Sequence, residues 1–351
     1  MSDRKIKILC EEAYLETIWC KELLGGLQKE LKKRRLSFEL CTAFVAPIGE
    51  EAAFLIGMGA SWLEEMVSKY NVSNCIPILL SNQSEIKIRG KYQLVCPDME
   101  NAAKKLKESF VHGERTKIAL YGAGYSSDLD KDRTAVFSQL ISVPSDIYTN
   151  TGNLESCFRT FYSKAPLYDS VICVNGYAAV SLVKKLEKEN LPLLEKMVII
   201  SCEEVLKHSK YNQWISLIDL KLEDYGAAAL AILELADSRN SISAITIRMN
   251  VKICDVPEKD AENLNAATDG IQFFEDPEII QMAKIEQLLR DADDMDHHII
   301  AMLLDHATYA DIADSCYMTE GNVKYRVKKY LSMSGCTTKK ELVELLQEYL
   351  Q

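Results

Sequence analysis

The regular alternation of strand-like and helix-like segments constrains this chain more than any other feature. From Lys5 to about Val256, short apolar runs such as Ile6–Cys10 alternate with longer amphipathic stretches such as Leu15–Leu36. Apolar runs of about four to eight residues are typical of buried strands, whereas a period of about 3.6 residues is typical of helices. Right-handed crossovers make such strands parallel. The pattern predicts an α/β fold, and its length suits two lobes better than one.

The composition is that of a soluble protein without a membrane partner. Of the 351 residues, 48% are hydrophobic and 26% are charged. No apolar run is as long as a membrane span, and the N-terminal MSDRKIKILCEE lacks the apolar core of a signal peptide. The eleven cysteines are scattered without CxxC pairs. Reduced, buried thiols explain this distribution better than disulfides or zinc ligands, so we expect a cytoplasmic protein.

Two glycine motifs resemble the start of the fingerprint found in nucleotide-binding enzymes. Gly57-Met58-Gly59 and Gly122-Ala123-Gly124 both follow predicted strands, but Trp62 and Ser127 occupy the place of the third glycine. The dinucleotide fingerprint needs all three glycines, so cradling of a phosphate is poorly supported. We expect no cofactor and no enzymatic activity.

Two other clusters suggest a metal site, and each has a simpler interpretation. Asp128, Asp130 and Asp132 imitate the start of a calcium loop, but Arg133 stands where that loop needs glycine. A solvated acidic loop is the better interpretation. His297 and His298 are adjacent, and adjacent residues point to different faces of a helix, so we expect no metal there.

The stretch from Tyr309 to Leu331 predicts two short helices joined by a tight turn, which is a helix-turn-helix candidate. Thr319 is a suitable N-cap for the second helix, although Asn322 stands where a capping box needs Glu or Gln. Val323, Val327, Tyr330 and Leu331 recur at helical spacing and define a buried side. The opposite side is polar and basic.

This polar side has the residue types that a helix in the major groove of DNA requires. Asn322 and Tyr325 are candidates for base contacts, and Lys324, Arg326 and Lys328 are candidates for phosphate contacts. Gly321 would allow close approach of the backbone. The full candidate set for DNA binding is Thr319, Gly321, Asn322, Lys324, Tyr325, Arg326, Lys328 and Lys329. The alternative is an ordinary helical hairpin with a solvated basic face.

The final 55 or so residues resemble the LuxR-type four-helix DNA-binding domain. The residues that carry the resemblance are Ile312-Ala313, Thr319, Asn322-Val323-Lys324, Leu331 and Thr338–Val343. The resemblance implies a first helix over Asp296–Ala307 and a last helix over Thr338–Leu350. Cys316 replaces a usual Leu, and Arg326 occupies a common His position. A net charge of −11 argues against indiscriminate binding to nucleic acid, so one basic face would have to be doubled by dimerisation.

Residues 4 to 256 resemble the effector-binding core of the lactose-repressor family, which is related to type I periplasmic sugar-binding proteins. The run Gly113–Gly122, the pair Asp132-Arg133 and the stretches Asp169–Ala179 and Val198–Cys202 carry the resemblance. It implies two lobes around a cleft that binds a small polar ligand, often a sugar, with three crossings of the chain between the lobes.

The same resemblance suggests which residues line the cleft. Arg133 matches a ligand-contacting arginine, with pairing to Asp130 or Asp132 as the alternative role. Asn175 matches the family, whereas Gly176 and Cys202 replace two aspartates, which puts sugar specificity in doubt. The candidate ligand-binding residues are Tyr14, Ser81, Asn82, Tyr125, Arg133, Asn175 and Asp219.

The sequence therefore predicts a two-lobed effector-binding domain at 1–256, a polar linker at 257–276 in which Phe273-Phe274 docks on a domain, and a connecting helix with a DNA-binding domain at 277–351. Packing within the C-terminal domain and dimerisation or coupling are equally open roles for the helix from Pro277 to Arg290. The favoured function is a dimeric, ligand-responsive transcription regulator whose sign, activator or repressor, is open. The alternative is a solute-binding or scaffold protein whose C-terminal helices bind another protein.

Overall fold

The computed structural model describes residues 5–49, 51–124, 127–203, 205–206, 209–238, 243–254 and 275–351. The predicted linker at 257–276 lies outside the described residues except for Glu275 and Asp276. Tyr125 and the pair Phe273-Phe274 also lie outside them.

Twelve strands are present among the described residues. They are β1 (Ile6–Cys10), β2 (Phe38–Cys41), β3 (Ala52–Ile56), β4 (Ile78–Leu80), β5 (Gln93–Pro97), β6 (Ile118–Gly124), β7 (Ile147–Asn150), β8 (Ser170–Cys173), β9 (Val198–Ser201), β10 (Ile215–Asp219), β11 (Thr246–Met249) and β12 (Lys252–Cys254).

Twelve α-helices accompany the strands in the same ranges. They are α1 (Ile18–Lys33), α2 (Ala60–Val72), α3 (Met99–His112), α4 (Asp128–Phe137), α5 (Leu154–Tyr162), α6 (Gly176–Leu194), α7 (Tyr225–Ser238), α8 (Pro277–Arg290), α9 (Asp294–Leu304), α10 (Tyr309–Ser315), α11 (Glu320–Ser334) and α12 (Lys339–Leu350).

The strands form two six-stranded sheets, each of which is the centre of one lobe. The order in lobe 1 is β11-β5-β4-β3-β1-β2, and the order in lobe 2 is β12-β10-β9-β8-β6-β7. Pairing is parallel throughout except that β12 runs antiparallel to β10. Central strands such as β1 and β3 are buried along their whole length, as expected for parallel strands covered by helices on both faces. The predicted two-lobed α/β fold is confirmed.

Within the described ranges, the chain crosses between the lobes three times. It leaves lobe 1 after β5, returns between β10 and α7, and crosses again between β11 and β12. The predicted strand near 244–251 contains β11 (Thr246–Met249). The short strand β12 follows in the other sheet and was not predicted, and only Asn250 and Val251 separate the two strands. The local pattern does not mark the break because both halves are strand-like.

The C-terminal helices α8 to α12 pack directly on lobe 2. A single cluster of buried apolar side chains includes Phe161 and Val180 of lobe 2 together with Met282, Leu303 and Leu346 of the C-terminal helices. The two parts therefore share one hydrophobic core rather than being joined only by a tether. No helix in the described ranges is long and apolar enough to cross a membrane.

Candidate functional site

The lobes meet after the carboxyl ends of β4 and β6, the edge at which the sequence predicts a ligand cleft and at which open α/β sheets generally bind ligands. The loop after β4 meets the first turns of α4 from the other lobe. The backbone N–H of Ser84 donates to an Asp132 carboxylate oxygen at 2.9 Å, and the Ser84 hydroxyl donates to the same carboxylate at 2.7 Å. Arg248 of β11 donates to the Ser84 carbonyl oxygen at 3.3 Å. The lobes are thus in direct contact through this loop.

Two of the predicted ligand residues lie in this contact loop. Ser81 is fully buried, and its hydroxyl accepts a hydrogen bond from the Gln83 backbone N–H at 3.0 Å. Asn82 is 1% exposed, and neither its side-chain nitrogen nor its oxygen has a hydrogen-bond partner in the part of the chain that the structure describes. A buried amide without partners costs free energy and calls for an explanation. Asn82 is therefore the strongest candidate for a ligand contact in lobe 1.

Arg133 is buried, and most of its hydrogen-bonding capacity is used inside lobe 2. Its guanidinium pairs with the Glu203 carboxylate at 2.7 Å and donates to the Val174 carbonyl oxygen at 2.9 Å. Burial alone would lower the pKa of Arg133, but Glu203 raises it overall. The partner is neither Asp130 nor Asp132, the two acids that the sequence suggested. One guanidinium nitrogen, Nη2, has no hydrogen-bond partner among the described residues.

Asn175 has a structural role at the start of α6. Its side-chain oxygen accepts from the Ala178 backbone N–H at 2.9 Å, and its amide nitrogen donates to Asp130 at 3.0 Å. A Cβ atom on Gly176 would lie 2.6 Å from Val205 and 2.9 Å from the Glu203 carbonyl oxygen. A side chain at position 176 would therefore require Val205 or the backbone of Glu203 to move.

The remaining candidates serve local structure in the described residues. Tyr14 is buried and its ring lies 5.6 Å from the Trp19 ring. Asp219 is buried and accepts from the Lys221 backbone N–H at 2.9 Å, which closes the turn after β10. Cys202 is buried, and burial raises the pKa of its thiol to about 12. The contact between the lobes joins Ser84 and Asp132. Asn82 lies two positions before Ser84 in the chain and Arg133 directly follows Asp132, whereas Tyr14 and Asp219 have local contacts.

A carboxylate of the chain itself occupies the first glycine motif. Glu11 accepts hydrogen bonds from the backbone N–H groups of Met58 and Gly59 at 3.0 and 2.9 Å, at the start of α2. A Cβ atom on Gly57 would meet the Trp62 ring at 2.6 Å. These glycines make room for Glu11 and Trp62, which agrees with the weak support for a nucleotide phosphate there.

The metal candidates have other partners. His298 is hydrogen-bonded to the Ser315 hydroxyl at 3.0 Å. In the described part of the chain, no group of three His, Cys, Asp or Glu side chains could hold a metal ion.

The helix-turn-helix candidate has the predicted shape. Helices α10 and α11 follow one another, and the Thr319 hydroxyl accepts from the Asn322 backbone N–H at 3.3 Å without a capping box. Val323, Val327 and Tyr330 are buried, which confirms the predicted inner side. Of the eight candidate DNA-binding residues, all except Arg326 are exposed. A Cβ atom on Gly321 would meet only Thr319 Oγ1, at 3.7 Å, so packing does not require glycine there.

Arg326 fastens α11 to α9. Its guanidinium pairs with Asp293, the N-cap of α9, at 3.1 Å and with the buried Asp296. Hydrogen bonds to Asp296 and Asp293 raise the pKa of Arg326. Tyr330 also donates to Asp296. Two carboxylates neutralise the Arg326 charge, so this residue differs from the phosphate contact that its position on the helix suggested.

The sequence analysis missed Tyr317 in the turn between α10 and α11. Its side chain is 98% exposed, and its backbone φ is +54°, a left-handed conformation that is uncommon for an aromatic residue. Its place in the tight turn directly before the polar face of α11 was the sequence signal that could have marked it as an exposed aromatic residue beside that face.

Helix α6 connects the cleft to the C-terminal helices. Its first turn follows Asn175 at the cleft, and the Tyr177 hydroxyl donates to the buried Glu286 of α8 at 2.6 Å. Further along, Lys184 pairs with Glu278 of α8 and with Glu348 of α12, both at 3.1 Å. Sequence reasoning missed these contacts because they join residues more than ninety positions apart.

The junction between α6 and the C-terminal helices also contains a cavity of about 490 Å³. Its lining is charged, and several of the charges are paired within it. Lys185 pairs with Glu278, and Arg159 pairs with Glu189 at 3.0 Å.

No protein-family model and no curated protein sequence matches the chain. Solved structures do match its fold. The transcriptional regulator CelR in complex with cellobiose is 10% identical, covers 73% of this chain and 85% of its own, and has a TM-score of 0.55. GanP, a glucose-galactose binding protein from Geobacillus stearothermophilus, is 12% identical over 74% of this chain and 99% of its own, at a TM-score of 0.54. The lac repressor dimer bound to operator is 11% identical over 72% of this chain and 80% of its own, also at 0.54. At these identities the likeness concerns the fold alone, and the chain has the two-lobed α/β architecture of LacI-family effector domains with an additional all-α region at its C-terminal end.

Proposed function

We propose that this protein is a ligand-responsive DNA-binding transcription regulator. The observation that carries the proposal is the outer face of α11, where Asn322, Lys324, Tyr325, Lys328 and Lys329 are all exposed while the inner face is packed into a core shared with the sensor lobe. Exposed polar and cationic side chains on one face of a capped helix suit insertion into the major groove. The helix belongs to a LuxR-type unit, as its sequence resemblance implies.

The effector in this proposal is a small polar molecule bound between the lobes. Among the described residues, the buried Asn82 amide has neither a donor nor an acceptor for its side chain, and Nη2 of Arg133 has two N–H groups without an acceptor. Both lie within two positions in the chain of the Ser84–Asp132 contact between the lobes. A molecule that forms hydrogen bonds with these groups binds more tightly when the lobes are in contact than when they are apart. The difference between these two binding free energies limits how far the molecule can change the affinity for DNA.

The proposed coupling runs through α6. One end of this helix faces the cleft, and Tyr177 and Lys184 hold the C-terminal helices against it. A change in the relative orientation of the lobes therefore moves the start of α6. Helix α11 moves with it, because α11 shares one core with lobe 2 and the other C-terminal helices. Because one basic face neutralises few phosphates, we expect a homodimer that recognises a repeated or palindromic site.

The test is selection of bound fragments from a pool of random duplex DNA at two salt concentrations. We expect a repeated motif, and weaker binding with a lower salt dependence for Lys324→Ala. Lys69→Ala is a matched control: Lys69 pairs with Glu65 at i−4 and lies 5.6 Å from the Phe44 ring, just as Lys324 pairs with Glu320 and lies 5.8 Å from the Tyr309 ring. Lys69 is in lobe 1, so its loss should leave DNA binding unchanged.

The alternative is a solute-binding or scaffold protein whose C-terminal helices bind another protein. It would be favoured if no motif is recovered and binding stays weak with candidate polar ligands added. Lys324→Ala and Lys69→Ala would then behave alike towards DNA.

A further inference from the structure

Tyr309, the first residue of α10, lies between two lysines from two other helices. The Nζ atom of Lys324 in α11 is 5.8 Å from the centre of its ring, and the Nζ atom of Lys339 at the start of α12 is 4.8 Å from it. Cations within about 6 Å of an aromatic ring centre are attracted to its face. The distance between the two Nζ atoms therefore cannot exceed the sum of their distances from the ring centre, so the two ammonium groups lie on the same part of the surface.

The contacts of Lys339 orient its charge without cancelling it. The ammonium group donates to the Ala307 carbonyl oxygen at 2.7 Å, and both this carbonyl and the Tyr309 ring are neutral. The nearby acid is Asp311, whose carboxylate accepts from the Thr308 backbone and hydroxyl in the capping box of α10. Arg326 is the contrasting case, because two carboxylates contact its guanidinium directly.

Contact with the Tyr309 ring also places Lys339 beside the exposed face of α11, because Lys324 of that face contacts the same ring. Lys324 lies one helical turn before Lys328, and both are exposed on the outer side of that helix. A duplex that lies against α11 would then pass the start of α12. DNA carries phosphates at close, regular spacing, so neighbouring ammonium groups can each meet one.

We propose that Lys339 is a phosphate contact of the same duplex that α11 contacts, with Tyr309 as the residue that positions it. This inference rests on the proposed function and extends the DNA-facing surface from one helix, α11, to two, α11 and α12. A phosphate contact carries no sequence information, so Lys339 sets affinity and register, whereas Asn322 and Tyr325 remain the candidates for base contacts.

The test measures the salt dependence of binding to the selected DNA motif. Lys339→Gln keeps a donor for the Ala307 carbonyl oxygen but removes the charge, so the fold is preserved. We expect the slope of log affinity against log salt to fall by about one, with the same loss on every sequence. Lys339→Arg should restore the slope. Tyr309→Leu should reduce it, while Tyr309→Phe, which keeps the ring, should not.

Lys340 supplies the matched control. It is the next residue, is highly exposed, and pairs with Glu344 at 3.6 Å. Lys340→Gln should leave the slope unchanged. An unchanged slope for Lys339→Gln, together with a reduced slope for Lys324→Ala, would overturn this inference and leave the proposed function standing. Absence of any motif for the wild-type protein would refute both.

Discussion

Removal of the Asp276 carboxylate tests how the C-terminal helices are docked. Asp276 is 4% exposed and is the N-cap of α8, where it accepts from the Glu278 and Ile279 backbone N–H groups at 2.8 and 3.4 Å. The same carboxylate accepts from the Leu154 backbone N–H at the start of α5 in lobe 2 and from the Asn150 amide. One side chain thus caps a helix of the C-terminal region and joins it to lobe 2.

The magnitude follows from the groups that lose their acceptor. Loss of an N-cap costs about 0.5–2 kcal/mol, and each buried donor left without a partner costs about 1–3 kcal/mol. For Asp276→Ala we expect the docking of α8 to weaken by about 3 kcal/mol, since the cap and the contact with Leu154 act on different helices. This free energy corresponds to about two orders of magnitude in a local opening equilibrium.

Hydrogen exchange of the amides in α8 and in the first turn of α5 measures this opening. Exchange in both segments should accelerate together in Asp276→Ala and less in Asp276→Asn, which keeps one acceptor oxygen. Asp98→Ala is the control, because Asp98 caps only α3, through the Asn101 N–H at 3.1 Å. Unchanged protection of α5 in Asp276→Ala would show that Asp276 does not join the two regions, and the reasoning would be refuted.

Three further predictions concern buried groups and the contact between the lobes. Burial raises the pKa of Glu286 to about 7 from an ordinary value of 4.5, against the lowering effect of the Tyr177 hydrogen bond. Protonated Glu286 therefore contributes stability below about pH 4.5 that is lost as the pH rises through 7, and subtraction of Glu286→Gln denaturation data from wild-type data should reveal this fall. Arg133→Met removes the ion-pair partner of the buried Glu203 carboxylate and should cost about 3–5 kcal/mol, whereas the double variant with Glu203→Leu should recover much of this loss in chemical denaturation. Ser84→Ala removes a hydrogen bond between the lobes and should increase the radius of gyration in X-ray scattering; an unchanged radius would show that this bond does not hold the lobes closed.

The local pattern of the chain was sufficient to predict most elements. The predicted helix from Pro277 to Arg290 matches α8, and the apolar run Ile6–Cys10 matches β1. Both predictions are correct because burial leaves a pattern in the sequence. A helix with one buried face has apolar residues at a helical period, and a strand buried on both faces is a continuous apolar run. The inner side of α11 was predicted for the same reason, since Val323, Val327 and Tyr330 follow a helical period.

Tertiary structure alone decided which polar groups remain available for function. Arg133 and Arg326 are charged side chains in suggestive positions, yet each pairs with carboxylates at least thirty positions away, Glu203 in one case and Asp293 and Asp296 in the other. The charge of Lys339 is not offset by a carboxylate in its contacts, which are the Ala307 carbonyl oxygen and the Tyr309 ring. Such pairing depends on distances between elements that are remote in sequence, and periodicity carries no record of it. The sequence determined the helices and strands and their buried faces. Packing determined which charged side chains pair with each other inside the protein and which remain without an opposite charge in contact with them.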